Sequence, residues 1–386
     1  MLYPALIAFT TVAVTLSVAS VLRATSRRRR LCLPPGDATP VTVLKPLCGA
    51  DDALEANLET FFQQTWPHLE LVFGVEGEDD PAVSVVRRLR ERHPDVACRL
   101  VIHDGRRALN PKISNLRAML EAGAHDVVLI SDSNVAARPD YVEDMLAHLL
   151  RPNTGMVTSL FAGVGERSLG ATFENLHLNG PIAGSVAASA ELSGRTVTVG
   201  KSMMFRRSTL ERLGGLESVA TLLAEDYVLG RMFRAAGYEV RIAGTVIDNV
   251  CAETTVRRFL DRQLRWGLLR SRLKPLAYPF EPLLSPLAVA AASPLFGVAL
   301  WLPLVWAVAL CAARDAIQWV RLRGSAGLLA ALPLGPVKEA LALGVWAVAP
   351  FHRHVSWRGR RFRVSAGTRL YAETPVQAPR ELRCEA

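Results

Sequence analysis

Arg262, Arg265 and Trp266 fall within five residues, just before the chain turns apolar and proline-rich. Two guanidinium groups three apart share one face of a helix and can fork a diphosphate, while the indole offers a flat wall to a sugar or a lipid. A basic amphipathic helix beside a membrane has the same composition, so the stretch alone does not fix its task. Three acidic clusters stand upstream of it in order: Glu78-Asp79-Asp80, Asp132-Ser133-Asn134 and Glu225-Asp226-Tyr227. Together these parts suit a nucleotide-sugar site. The diphosphate of such a donor must be held and its growing charge compensated, for which Mg2+ or Mn2+ on carboxylate oxygens is a general solution. Asp132 is the candidate metal ligand, unless it only starts a turn with Ser133 and Asn134. An acceptor hydroxyl must lose a proton as it attacks, and Asp226 is the candidate base. The plainer alternative is that Glu225 and Asp226 complement a helix dipole. Lys112, just inside a helix opened by Asn110-Pro111, suits a phosphate, and Lys45 follows a strand where a nucleotide base can lie against backbone.

The elements that must position these groups alternate in type. Val41-Thr-Val-Leu-Lys, Leu69 to Val75, Cys98 to His103, Asp126 to Ser131 and Thr196 to Gly200 read as strands; 54–64, 82–93, 113–122 and 225–236 read as helices. Short loops between them argue for a parallel sheet covered on both faces, with ligands beyond the carboxyl ends of the strands. Glu76 to Asp80 and Asp132 fall at such ends, so Glu76 and Asp80 join Lys45, Lys112 and Asp132 as expected donor-binding residues. Neither G-x-G-x-x-G nor G-x-x-x-x-G-K-[ST] occurs, against dinucleotide or P-loop chemistry.

Hydrophobic residues make up 50% of the 386, more than a soluble enzyme carries and less than a protein made mostly of spans. Residues 1–22 hold no charge and are followed by Arg23 and Arg27 to Arg30. That order predicts an uncleaved anchor with the rest of the chain cytoplasmic. Residues 40–275 form the expected catalytic domain. Residues 283–351 follow as membrane or re-entrant helices, with 283–313 expected as a helical hairpin broken near Pro286, Pro294 and Pro303; 352–386 is a basic tail. The net charge of +9 clusters beside the apolar segments, which suits a lipid bilayer and not nucleic acid. Six scattered cysteines without a C-x-x-C pair predict neither a disulfide framework nor a zinc site.

With these residues in place the chain resembles the ceramide glucosyltransferases, a membrane-bound branch of the inverting GT-A transferases. The resemblance is carried by Leu44-Lys-Pro-Leu-Cys-Gly, Asn57-Leu-Glu-Thr-Phe-Phe, Asp79-Asp-Pro-Ala, Asn110-Pro-Lys-Ile-Ser-Asn-Leu, Ser131-Asp-Ser, Ala224-Glu-Asp-Tyr and Arg262-Gln-Leu-Arg-Trp. It implies an α/β, Rossmann-like GT-A nucleotide-sugar domain with an N-terminal anchor and C-terminal membrane helices. It also implies a UDP-sugar donor, a membrane lipid acceptor and metal-dependent transfer with inversion, set in a bacterial inner membrane and facing the cytoplasm. By the same resemblance Asp80 lies at the nucleotide, Asp132 at the metal, Asp226 is the base, Arg262, Arg265 and Trp266 fall on the family's [QR]-x-x-R-W motif, and the two arginines attend the departing diphosphate. Two departures stand out. Asp132-Ser133-Asn134 lacks the second carboxylate of a D-x-D motif, and the family's His-Pro-Arg-Tyr stretch has no match between Asn179 and Glu191. The reading is therefore glucose transfer to ceramide, with N-acetylglucosamine transfer to a hopanoid as the alternative. A processive glycan synthase is the rival of another class, for which few spans remain.

Overall fold

The computed structural model describes residues 1–373 except 27–30, 32, 35, 51, 52 and 358. The cluster Arg27 to Arg30 and residues 374–386 of the expected tail therefore lie outside the described residues. The chain divides into two compact units. One comprises Arg28–Leu160, Arg195–Val250 and His354–Ala386; the other comprises Met1–Arg27, Phe161–Gly194 and Cys251–Arg353.

The first unit is α/β. Its first half runs β1 (Val41–Pro46), α2 (Leu54–Phe62), β2 (Leu69–Glu76), α3 (Ala82–Arg92), β3 (Ala97–His103), α4 (Pro111–Ala122), β4 (Val127–Ser131), β5 (Val135–Ala136), α5 (Tyr141–Leu149) and β6 (Thr154–Thr158). The second half adds β8 (Ser202–Arg206), α8 (Arg207–Arg212), α9 (Glu225–Ala235), β9 (Glu239–Ile242) and β10 (Ile247–Val250). Three further strands, β11 (His354–Trp357), β12 (Arg360–Val364) and β13 (Leu370–Ala372), close it. Seven strands form one sheet in the order β3-β2-β1-β4-β8-β6-β9. β1 pairs in parallel with both β2 and β4, while β8 runs antiparallel to its neighbours β4 and β6. β1 and β4 are buried along their whole length, as strands covered on both faces must be. Chain order reverses between β1 and β4, so their carboxyl ends flank a crevice of the kind that takes ligands in open α/β sheets. The α/β class agrees with the sequence expectation, whereas the antiparallel β8 makes mixed a sheet expected to be parallel.

One expected strand is displaced. Thr196 to Gly200 is irregular and the strand is Ser202–Arg206. The alternating Thr-Val-Thr-Val pattern yields to packing: a Cβ on Gly230 of α9 would stand 1.9 Å from the Thr198 hydroxyl, and Gly200 N donates to Asp226 Oδ2 at 2.7 Å. Cys48 is disulfide-bonded, which the scattered spacing gave no reason to expect, whereas Cys98, Cys251 and Cys311 form no disulfide.

The second unit is helical. It contains α1 (Leu2–Ser26), β7 (Phe161–Val164), α6 (Leu169–His177), α7 (Ala183–Ser193), α10 (Val256–Leu273), α11 (Pro286–Ala291), α12 (Trp301–Arg323), α13 (Leu328–Ala331) and α14 (Gly335–Val348). Among the described residues, two segments, Leu2–Ser26 and Leu328–Phe351, are long and apolar enough to cross a membrane. Within 283–313 the helix starts and breaks fall near the prolines, and the short α11 packs against the long α12. Pro286 and Pro294 each open a short helix, where a missing N–H costs nothing, and Pro303 sits in the first turn of a helix that continues to Arg323. α12 lies along α1 in the same direction: Trp306 Nε1 donates to Thr11 Oγ1 at 3.2 Å, and Arg321 Nε to Thr25 Oγ1 at 2.6 Å.

Lys338 and Glu339 interrupt an apolar segment because they complete a buried ionic quartet. Arg314 meets Glu339 at 2.5 Å and Asp315 at 2.8 Å, and Lys338 meets Asp315 at 2.9 Å and Glu339 at 3.0 Å. Two positive and two negative charges cancel, so removing one leaves an uncompensated buried charge. Asp315→Ala is expected to destabilise the protein by about 3–5 kcal/mol, read as a lowered melting temperature in detergent. An unchanged melting temperature would show the quartet to be dispensable.

Candidate active site

The crevice between β1 and β4 is built from lysines and carboxylates. Lys45, fully buried near the end of β1, lies 3.8 Å from the centroid of the Phe61 ring and donates to the Asp132 carbonyl at 2.5 Å and to Ser131 Oγ at 3.3 Å. It thereby ties the end of β1 to the turn after β4. Burial pushes the Lys45 ammonium well below its ordinary range against the pull of Asp132, and Lys201 pushes it further down.

Lys112 is placed by its helix. Asn110 caps α4, its Oδ1 accepting from Lys112 N at 2.9 Å and Ile113 N at 3.2 Å, and Pro111 takes the first helical position. The Lys112 ammonium meets Asp132 Oδ1 at 2.7 Å and Glu225 Oε1 at 3.6 Å, and donates to the Gly200 carbonyl at 3.3 Å. A Cβ on Gly200 would stand 3.0 Å from both Lys112 Nζ and Asp226 Oδ2, so glycine allows the backbone to approach there. Lys201 Nζ lies 3.9 Å from Asp132 Oδ2 and donates to Asn134 Oδ1 at 3.2 Å.

The carboxylates divide by environment. Burial opposes charge on Asp132, but Lys112, Lys201 and Lys45 outweigh it and hold the group below its ordinary pKa. Glu225 and Asp226, at the start of α9, are both pushed up, chiefly by burial, with Lys112 opposing; each also gains from a negative neighbour, Asp226 beside Glu225 and Asp132 beside both. Lys112 itself is held above its ordinary value, because Asp132, Glu225 and Asp226 together outweigh its burial. Such a site holds one permanent anion and one acid pair able to take up a proton.

Lys45, Lys112, Asp132 and Asp226 are thus brought together. Glu76 and Asp80 belong to the same unit with other partners: Glu76 pairs with Arg360, and Asp80 accepts from Gly49 N at 3.0 Å and Ala82 N at 2.8 Å, which fixes the start of α3. Arg262, Arg265 and Trp266 lie on α10 in the helical unit, half-buried, with Arg262 3.1 Å from the fully buried carboxylate of Glu174. Sequence reasoning passed over Lys201 and Glu174, and gave Glu225 no more than a dipole role. Lys201 follows the stretch misread as a strand, and Glu174 is an ordinary acid on a helix until Arg262 is seen against it.

The metal expectation rests on Asp132. Among the described residues no group of three or more His, Cys, Asp or Glu converges on a metal position. A single carboxylate suits a magnesium-like ion only when substrate phosphates complete the shell, which is how such ions are held at many nucleotide sites.

The chain belongs to glycosyl transferase family 21, whose family model matches residues 3–370. It is similar to ceramide glucosyltransferase 1 of Caenorhabditis elegans, at 32% identity over 248 residues, covering 63% of this chain and 52% of the relative. It is also similar to a ceramide glucosyltransferase of Komagataella phaffii, at 34% identity over 119 residues, covering 30% and 23%. The chain therefore spans about half the length, or less, of these relatives. Among solved structures, mannosyltransferase PcManGT from Pyrobaculum calidifontis, in complex with GDP-Man and Mn2+, aligns with 91% of this chain and 99% of its own, at TM-score 0.49 and 22% identity.

The acid pair predicts a pH signature. A raised carboxylate pKa withholds the free base at low pH, so turnover should rise with pH along a limb above the ordinary carboxylate range. Lys112 opposes the upward shift of Asp226, so Lys112→Met should move that limb to higher pH. A limb at the same pH in the variant would uncouple the two groups.

Proposed function

We propose that the chain is a membrane-anchored transferase that moves glucose from UDP-glucose to the hydroxyl of a membrane lipid, ceramide by analogy with the relatives. The observation that carries this reading is the half-buried Asp226 with its raised pKa, its Oδ2 held by Gly200 N beside the Lys112 and Asp132 pair at the sheet's crevice. Asp226 takes the proton as the lipid oxygen attacks the anomeric carbon. The bond from that carbon to the diphosphate oxygen breaks on the opposite side, UDP leaves with the electron pair, and configuration inverts. Lys112 and Lys201 offer positive charge to the diphosphate. A divalent ion held by Asp132 and the donor phosphates would supply further charge neutralisation at the leaving group.

A bacterial inner membrane with the α/β unit on the cytoplasmic side completes the proposal. Large apolar side chains are exposed along the helical unit, among them Leu276, Phe280, Leu295, Leu300, Trp301 and Val305. Exposure of this kind suits contact with lipid. Arg262, Arg265 and Trp266, on the amphipathic α10 of that same unit, are proposed to serve the diphosphate and the lipid head, and Glu76 and Asp80 the nucleotide.

The test is a transfer assay on detergent-solubilised protein, offering UDP-glucose and UDP-N-acetylglucosamine against ceramide and bacteriohopanetetrol, with manganese and with chelator. Glucose on ceramide is expected. N-acetylglucosamine on the hopanoid would overturn the substrates while keeping the chemistry. Asp226→Asn should lower turnover by about 100-fold or more and leave UDP binding intact. Asp132→Ala should weaken manganese-dependent donor binding, and an unchanged manganese titration would remove its role.

A further inference from the structure

The segment after the last apolar helix carries basic residues that read as a tail, yet it folds into the α/β unit. β11, β12 and β13 form an antiparallel sheet, pairing His354 with Arg363 and Val364 with Leu370. The far end of this sheet grips the loop that precedes α9. Leu370 N donates to the Thr221 carbonyl at 2.7 Å, Leu223 N donates to the Thr368 carbonyl at 2.9 Å, and Ala224 N donates to Thr368 Oγ1 at 3.4 Å. Ala224 immediately precedes Glu225 and Asp226. The same loop is held from its other side by the residue that places Lys112: Asn110 N donates to the Ala220 carbonyl at 2.9 Å, and Asn110 Nδ2 to the Leu222 carbonyl at 2.6 Å.

Thr368 is built for this contact at some cost. It is fully buried and its φ is +64°, a left-handed conformation that β-branched residues rarely adopt. Such backbone persists only where its surroundings over-determine it. A glycine would meet the conformation without strain, so the side chain is the part that needs a reason, and its hydroxyl accepts from the Ala224 amide just before the acid pair. The sheet has a second grip, for Arg360 on β12 pairs with Glu76 at the end of β2.

We propose that the three-stranded sheet of β11, β12 and β13 is a positioning element of the transfer site. Thr368 sets the approach of Glu225 and Asp226 to Lys112, and Arg360 holds Glu76 at the end of β2. The proposal rests on the reading of Asp226 as the base.

The experiment compares Thr368→Gly, Thr368→Ser and Arg360→Ala in the full-length protein, measuring kcat, donor KM, the pH profile and the melting temperature, with Asp226→Asn alongside. Thr368→Gly keeps the backbone conformation and removes the hydroxyl. It should lower kcat on the order of tenfold and displace the acidic limb, with donor KM within about twofold and the melting temperature no lower. Thr368→Ser restores the hydroxyl and should restore kcat and the limb. Arg360→Ala should raise donor KM. Wild-type kcat and pH profile in Thr368→Gly would overturn the proposal, as would losses in kcat that track melting temperature equally in the glycine and serine variants. Retained turnover in Asp226→Asn would instead overturn the base, whatever Thr368→Gly does.

Discussion

A lysine ammonium buried at the ends of two strands constrains everything near it. Taking that charge out of water is costly, and the cost is met only when several oxygens converge on the group in good geometry. Around Lys112 they come from Asp132 at 2.7 Å, Gly200 at 3.3 Å and Glu225 at 3.6 Å. These partners belong to the turn after β4, the irregular stretch before β8 and the first residue of α9. The ion cluster therefore pins three separate parts of the α/β unit to the start of α4. The glycine at 200 and the cap at Asn110 follow from it, one giving the backbone room and the other aiming the helix.

The same cluster divides labour among like groups. Asp132 has three lysines around it and stays an anion, whereas Asp226 gains a proton more readily because burial outweighs the help of Lys112. Two carboxylates of equal intrinsic acidity are driven apart by their surroundings, which is how one site offers both a fixed charge and a proton acceptor at the same pH. Lys45 contributes least of the three lysines to that anion. Its three acceptors, the Asp132 carbonyl, Ser131 Oγ and the Val135 carbonyl, make it a strut between strand ends.

Much of the α/β unit was legible because burial on both faces writes continuous apolar strands, and the polar residues at their ends then stand out. Lys45 and Asp132 stand out in this way at strand ends, Lys112 and Asp226 at helix starts, and the four lie together. The stretch 196–200 misled because alternation reports side-chain periodicity and not the backbone's partner; Gly200 spends its N–H on Asp226 and not on a ladder. Glu76 and Asp80 were read by position alone, and their bonds to Arg360, Gly49 and Ala82 depend on segments distant in sequence. Lys338 and Glu339 looked like flaws in a span, because a sequence read along its length does not show that Arg314 and Asp315 face them.

Within the helical unit, Arg321 bonds to Thr25 and Ser26, so α12 and α1 end together. Leu328–Phe351 is long and apolar enough to cross a membrane, yet it turns Lys338 and Glu339 inward onto Arg314 and Asp315 of α12. Ionisable groups in an apolar segment persist where such partners are supplied, so the quartet on α12 is what allows two charges in a segment otherwise built of apolar side chains.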